Sequence, residues 1–489
     1  MRDPLFLSLF LASTTLAGCG GGKKPAVISP DMDMPDMALA RSTLTADQAA
    51  AERAACTFTA GTQPGLSIAS DAPLGNQIPI DTVVIVMMEN RSFDHLLQAL
   101  PAYGQPDADV APANASNLDS DGTVVNSFHL TPYCFDDPNH GWKEVHNEWD
   151  NGAMDGFVIW NNYNGTPDVP ADGKRAMGYY TDADLPWLYS VANTFALADR
   201  NFSSLLGPTF PNREFLYAGT SFGHTGNAVF TTDQPTIMQA LNAANVDWRE
   251  YATSLPGLEI FAYNYLANID DHQFAIADFY TDAAAGKLGQ VNFVDPDLYS
   301  NNFGERNDFH PPGDIQGGQA FMHDVVDAVM KSPQWPHAAV ILTFDEHGGI
   351  YDHVPPPPAC APDDIPAQLS PGDPAGDFKT YGVRVPMIVV SPYAKPHFVS
   401  HTVFDHTSIL RFIETRFGMP ALTARDANAD PLSDMFDFTT AAFATPPTLP
   451  PAPIDPTKLA DCLALYPEDG GTDAGVPTDL GSSNPDGGI

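Results

Sequence analysis

Two stretches of the chain run an unbroken apolar sequence straight into oxygen-bearing side chains. Thr82-Val83-Val84-Ile85-Val86-Met87-Met88 empties into Glu89-Asn90, and Ala338-Ala339-Val340-Ile341-Leu342-Thr343-Phe344 empties into Asp345-Glu346-His347-Gly348-Gly349. Apolar runs without alternation predict strands buried on both faces, as in the middle of a parallel sheet. A third such strand is expected at Val385-Pro386-Met387-Ile388-Val389-Val390, and a shorter one at Thr194-Phe195-Ala196-Leu197-Ala198. Asp247 to Tyr251 is expected to begin an edge strand. Met322, Val325, Val326, Val329 and Met330 recur at helical spacing, which predicts a helix with one buried face. Asp405-His406 opens another, with Ile409, Leu410, Ile413 and Phe417 inward and Gly418 and Pro420 closing it. Asp184 before Pro186 marks a capped helix start. Helical character is also expected over Arg213–Ala218 and around Gln239-Ala240-Leu241. Residues 101 to 135 lack a period, and the His-, Trp- and Gly-rich stretch 140–157 is expected to be a loop crossing a site.

This pattern is that of an α/β domain, and it places chemistry. In open α/β sheets ligands gather beyond the carboxyl ends of the strands, where Glu89, Asn90, Asp345 and Glu346 fall. Oxygen donors on rigid strand ends are what a hard or borderline cation requires, so these four are candidate metal ligands. Gly207-Pro208-Thr209-Phe210-Pro211 precedes helical sequence, which sets Thr209 at or just before a helix N-terminus. Free N–H groups and the helix dipole favour an anion there. A hydroxyl at that spot either faces a phosphate or simply caps the helix, and the stretch itself leaves both open. His140 and His146 lie in that expected loop, unranked by composition, and Asn307-Asp308-Phe309-His310-Pro311-Pro312 ends one element before another starts. His406, at a helix start, is expected to pack rather than to ligate.

Composition narrows the partners. Of 489 residues 22 are Lys or Arg and 61 Asp or Glu, a formal net charge of −39. Nucleic-acid phosphates demand basic side chains, so no nucleic-acid partner is expected. Arg2, the apolar stretch Leu5–Leu16 and Leu16-Ala17-Gly18-Cys19 resemble a lipoprotein signal peptide with its lipobox. Residues 1–19 are therefore expected to be that signal, with lipidated Cys19 as a membrane tether. Met32, Met34 and Met37 are assigned no metal. Residues 20–55 are expected to be a flexible linker, 56–465 the catalytic domain and 466–489 a disordered tail. Export to a cell envelope or beyond puts Cys56, Cys134, Cys360 and Cys462 in an oxidising compartment. Of the three pairings that four cysteines allow, Cys56–Cys462 with Cys134–Cys360 is the one expected.

Five blocks together resemble the bacterial phosphoesterase family, which includes phosphatidylcholine-type phospholipases C and certain acid phosphatases. They are Glu89-Asn90-Arg91-Ser92-Phe93-Asp94-His95, Gly207 to Arg213, His310-Pro311-Pro312, Asp345-Glu346-His347-Gly348-Gly349 and Asp405-His406-Thr407-Ser408. The resemblance spans about residues 80 to 420 and implies an alkaline-phosphatase-like three-layer α/β/α sandwich around a mostly parallel sheet. It further implies hydrolysis of a phosphate ester through a phosphothreonine on Thr209, with His140 and His310 in the catalytic pocket. Glu89, Asn90, Thr209, Asp345 and Glu346 would surround a divalent ion, for which zinc and calcium are both candidates. Leu96-Leu97 stand where many members carry an aromatic and a glycine. Thr209, where phosphatase-type members tend to carry Ser, inclines the expectation towards a phospholipase C acting on phospholipid. The alternatives are an acid phosphatase acting on soluble monoesters and a non-catalytic surface lipoprotein. A sulfatase-like enzyme is disfavoured, because no Cys/Ser-x-Pro-x-Arg motif stands at the nucleophile. Oligomeric state is not legible.

Overall fold

The computed structural model of the chain describes residues 39–162, 172–298 and 306–466. The expected signal peptide, the three methionines and all of the expected tail beyond Tyr466 lie outside the described residues. Eight strands form one sheet: β1 (Thr82–Met88), β2 (Ala196–Ala198), β3 (Trp248–Ala252), β4 (Gln273–Ala275), β5 (Val291–Asp295), β6 (Ala338–Phe344), β7 (Met387–Val390) and β8 (Phe398–Ser400). Their order across the sheet is β8-β2-β7-β6-β1-β5-β3-β4. The two long apolar runs are thus adjacent and central, paired in parallel with Met88 opposite Phe344. Every residue of both is buried, as a strand covered by helices on both faces requires. The expected third strand, β7, is antiparallel to both its neighbours. The remaining pairs are parallel. The strand expected at an edge, β3, lies inside the sheet because the short β4 pairs outside it.

The helices used below are α1 (Ala46–Ala54), α2 (Trp142–Trp149), α3 (Pro186–Thr194), α4 (Thr209–Ala218), α5 (Ala262–His272), α6 (Ile315–Lys331), α7 (His406–Phe417) and α8 (Pro456–Leu465). The amphipathic α6 buries Met322, Val325, Val326 and Val329, and its Gln319 Oε1 accepts from Trp187 N and Leu188 N of α3. α7 is entirely buried through Thr415 and ends on Gly418 at φ +70°, a left-handed closure suited to glycine.

Four expectations need correction. Residues 140–157 are not all loop, since α2 occupies 142–149. Trp142 and Val145 are buried, with Trp149 a further turn on, so spacings of three and four carry an apolar face that the flanking glycines obscure. Asp184 does not cap α3; its carboxylate accepts from Thr181 N, at 2.8 Å, and from the Tyr133 hydroxyl. Ordered chain begins before Cys56: α1 has a Thr45–Gln48 capping box, and Arg53 pairs with Asp430 at 2.6 Å, so a flexible linker does not extend to residue 55. The disulfides are Cys56–Cys360 and Cys134–Cys462, not the expected Cys56–Cys462 and Cys134–Cys360. The fold sets Cys56, just after α1, beside the proline-rich loop following β6, and docks α8 onto the loop holding Cys134. Sequence position alone carries no trace of either neighbour.

Candidate active site

The carboxyl ends of β1 and β6 bring the four expected oxygen donors together. Asn90 turns sharply off β1 at φ +61°, a left-handed conformation that asparagine tolerates better than most residues. The turn aims its backbone N–H at Asp345 Oδ1, 3.1 Å away, which also accepts from Glu346 N at 2.7 Å. Glu346 Oε2 accepts from Gly348 N at 2.7 Å. Gly348, at φ +65°, must be glycine, since a Cβ there would lie 2.4 Å from the Asn90 carbonyl oxygen. The two strand ends therefore lock each other through backbone contacts.

α4 closes one side. Thr209 is its first residue. Arg213, four residues on, shares its helix face at about 6 Å. The buried Arg213 guanidinium donates to Glu89 Oε1 (3.2 Å) and to the Met87 carbonyl (3.1 Å); its Nε lies 3.6 Å from Asp345 Oδ2. The turn into α4 is held by Asn212, whose Oδ1 accepts from Ser204 N and Leu205 N. Phe210 N donates to Asn227 Oδ1 at 2.8 Å.

Histidines close the other side. His140 Nδ1 donates to the Pro138 carbonyl at 2.8 Å, leaving Nε2 to accept from Asn90 Nδ2 at 3.2 Å and to lie 4.0 Å from Glu346 Oε1. The His140 and His310 ring centroids are 5.9 Å apart, edge to face. Asp137 stands 3.8 Å from one imidazole and 3.9 Å from the other. His310 Nδ1 bonds the Pro311 carbonyl. His406 packs as expected, donating from Nε2 to the Asp345 carbonyl at 2.7 Å.

Thus Glu89, Asn90, Asp345 and Glu346 converge, His140 touches Asn90, and His310 faces His140. Thr209 is joined to them through its helix and Arg213. Sequence reasoning missed three contributors. Arg213 was legible as the residue one turn beyond Thr209. Asp137 carried no local signal. Nor did Glu148, which pairs with His347 of the acid-tipped block at 3.0 Å and is clamped in turn by Asn161 Nδ2 at 2.9 Å.

The electrostatics are those of crowded acid. Burial pushes the Glu89 carboxyl up to about 7 against the pull of Arg213. Burial, with Glu89 and Glu346 nearby, drives Asp345 well above the ordinary carboxylate range. Burial and the neighbouring Arg306 and His140 hold the His310 imidazole well below 6.5, so it is neutral near pH 7. Burial also works against the charged form of His347, but bonds to Glu148 and Glu346 carry it up to about 9.

The donor set fits a divalent cation. Among the described residues, Asn90 Oδ1, Asp345 Oδ2 and Glu346 Oε1 are buried oxygens without a hydrogen-bond partner. Leaving such atoms unsatisfied costs about 1–3 kcal/mol each, more when charged, a cost that a hard cation within their reach would relieve. Among the described residues it is Asp137, His140 and His310, rather than Glu89, Asp345 and Glu346, that present ligand atoms all within 4.8 Å of one another. Asp94, Asp352 and His353 do the same, but there the Arg384 guanidinium and backbone N–H groups already occupy the oxygens of both carboxylates. That cluster is a buried ion-pair network.

A mostly parallel sheet with acid-tipped central strands, tied to α4 through Arg213, defines an α/β scaffold with its polar cluster at the strand ends. The phosphoesterase family model matches residues 80–420. The chain belongs to the phosphoesterase family and is a phosphoric ester hydrolase. It is 32% identical over 418 residues to non-specific phospholipase C6 of Arabidopsis thaliana, covering 80% of this chain and 78% of that protein. It is 31% identical over 441 residues to phospholipase C B of Mycobacterium tuberculosis, covering 77% and 81%. Among solved structures, the lipoteichoic acid synthase LtaP of Listeria monocytogenes aligns over 80% of this chain and 82% of that one, at 10% identity and a TM-score of 0.36.

Proposed function

We propose that this protein is an exported phospholipase C-type phosphoesterase that works through a phosphothreonine. The observation that carries the reading is the trio of buried, unpartnered oxygens on Asn90, Asp345 and Glu346, set beside the helix that begins with Thr209. Glu89, Asn90, Asp345 and Glu346 would hold a divalent ion, with the Thr209 hydroxyl at it. Such an ion supplies Lewis-acid stabilisation of phosphoryl oxygens and lowers the pKa of a nearby hydroxyl.

Thr209 Oγ1 gives up its proton and attacks phosphorus in line, and the bond from phosphorus to the alcohol oxygen breaks. The pocket imidazoles, His140 and His310, relay the released proton to the departing alkoxide. Arg213 favours the ionised form of Glu89 against its burial and fixes α4 relative to β1. The Thr209 N–H and the positive end of the α4 dipole stabilise the charge growing on the phosphoryl oxygens, since Phe210 N already bonds Asn227 and Pro211 has no N–H. Water then attacks phosphorus, regenerating the Thr209 hydroxyl and releasing the phosphate or phosphomonoester. The similarity to proteins named phospholipases C favours a phospholipid substrate, and lipidated Cys19 would hold the enzyme at a membrane.

The test is turnover of para-nitrophenylphosphorylcholine and para-nitrophenyl phosphate, with metal analysis, before and after chelation. The expected result is preference for the phosphorylcholine diester, loss of turnover with loss of bound metal, and recovery on adding metal back. Thr209→Ala should lower kcat by about 10³-fold or more with an unchanged circular dichroism spectrum, while Thr209→Ser keeps measurable turnover. Full activity in Thr209→Ala would refute the nucleophile. Preference for para-nitrophenyl phosphate would make the enzyme a monoesterase.

A further inference from the structure

Beside the site, three segments carry large apolar side chains into solvent. Leu255 follows the carboxyl end of β3, and Tyr263 and Leu266 stand on α5 just beyond it. Val229 lies in the loop after α4, and Ile365 and Leu369 lie in the loop beyond the proline run. All six are at least 41% exposed. Isolated exposed leucines are ordinary, whereas a contiguous set marks an interaction surface.

The segments are laced together. Phe230 N donates to the Ile260 carbonyl at 2.7 Å and Gln368 N to the Gly223 carbonyl at 2.8 Å. Thr225 Oγ1 donates to the Gln368 carbonyl at 2.9 Å. Phe222, Phe230 and Phe261 pack beneath them, with ring centroids 5.0–5.3 Å apart along the series. The set also adjoins the start of α4. Asn227, two residues before Val229, accepts the Phe210 N–H beside Thr209, and β3 runs parallel to the strands that carry the acids.

Charge selects the occupant. Residues 214–248, 250–286 and 353–378 contain no Lys or Arg, while Asp233 and Asp364 are exposed among the apolar groups. An anionic leaflet recruits proteins through basic segments, and this rim offers none on a chain of net charge −39. A zwitterionic phosphocholine surface presents trimethylammonium groups outermost, which suit carboxylates and the Tyr263 ring, above an apolar layer that suits the aliphatic side chains.

The geometry points to this rim as the surface by which the enzyme docks on a zwitterionic, phosphatidylcholine-type bilayer, with the catalytic mouth facing the headgroups. The inference rests on the phospholipase reading above and adds the membrane contact to it.

The test uses the full chain carrying Cys19→Ser, so that no acyl group contributes, and Thr209→Ala in the binding arm. Co-sedimentation with dioleoylphosphatidylcholine vesicles should fall at least tenfold in partition coefficient in Ile365→Ser/Leu369→Ser and in Val229→Ser/Leu255→Ser. The control Leu66→Ser, on the separate turn Pro64–Ser67, should bind as its parent. With Thr209 restored, the rim variants should keep turnover of soluble para-nitrophenylphosphorylcholine within twofold while losing vesicle hydrolysis. Phosphatidylglycerol vesicles at low salt should bind more weakly than phosphatidylcholine. Tyr263→Trp should shift its emission to the blue on meeting phosphatidylcholine vesicles.

Unchanged vesicle binding in both rim variants, stronger binding to phosphatidylglycerol at low salt, or no shift from Tyr263→Trp would each overturn the docking surface. Rim-dependent vesicle binding in a protein inert towards every phosphate ester would instead overturn the catalytic reading and leave the docking surface standing.

Discussion

Asn90 and Gly348 are a matched pair of backbone exceptions. The first takes a left-handed conformation to put an amide and an N–H against Asp345 and His140. The second leaves out a side chain so that the Asn90 carbonyl can pass. Such local strain persists where surrounding contacts over-determine it. Close by, His353 bonds Asp94 at 2.6 Å. Burial opposes its charged form, but the Asp94 carboxylate outweighs burial and raises the His353 pKa above 6.5. A raised folded-state pKa means that the stabilisation is fully present below pH 6.5 and is lost as pH rises through the folded value. The melting temperature of the parent should therefore drop between pH 6 and pH 9 by about 1–2 °C more than that of His353→Gln, as differential scanning calorimetry of both proteins at each pH would measure. Equal slopes would remove His353 from the account.

Elements that carry their own signal were legible in the sequence. β1 and β6 are continuous apolar runs that stop at acids, and α6 and α7 keep a strict helical period. α4 was legible in its second half, and its true start at Thr209 puts the hydroxyl and Arg213 on one face. Elements defined by what lies across from them were not legible. The antiparallel direction of β7 is set by where the chain re-enters the sheet, and the interior place of β3 depends on a three-residue strand outside it. α2 had a period that two glycines and two histidines masked. Arg213 tests the α4 assignment. Its guanidinium is buried among Glu89, Met87 and Asp345, and removing one partner of a buried ion pair costs about 3–5 kcal/mol. Arg213→Met should lower the urea midpoint accordingly without changing the denaturant slope, and an unchanged midpoint would mean that α4 is not anchored there.

At the scale of the molecule, the two disulfides each tie a segment near one end of the chain to a loop some three hundred residues away. The Cys134–Cys462 bond spans 328 residues and the Cys56–Cys360 bond 304. Long closed loops restrict the unfolded chain most in the entropy model, although strain and residual structure temper the effect. Cys134→Ser/Cys462→Ser should lose about 2–5 kcal/mol, read as a lower melting temperature under non-reducing conditions. Parent protein in reductant should move the same way, and a melting temperature indifferent to both would show that the bond contributes nothing. Neither pairing could be deduced from spacing, because both partners are set by the packing of α1 and α8.

Strands β1 and β6 lie side by side in the sheet while some 250 residues of chain separate them. A ribosome that has delivered only the first three hundred residues has made the Glu89-Asn90 half of the centre and the Thr209 helix, but not the strand that brings Asp345 and Glu346. The growing polypeptide therefore lacks half of the proposed centre until late in its own synthesis.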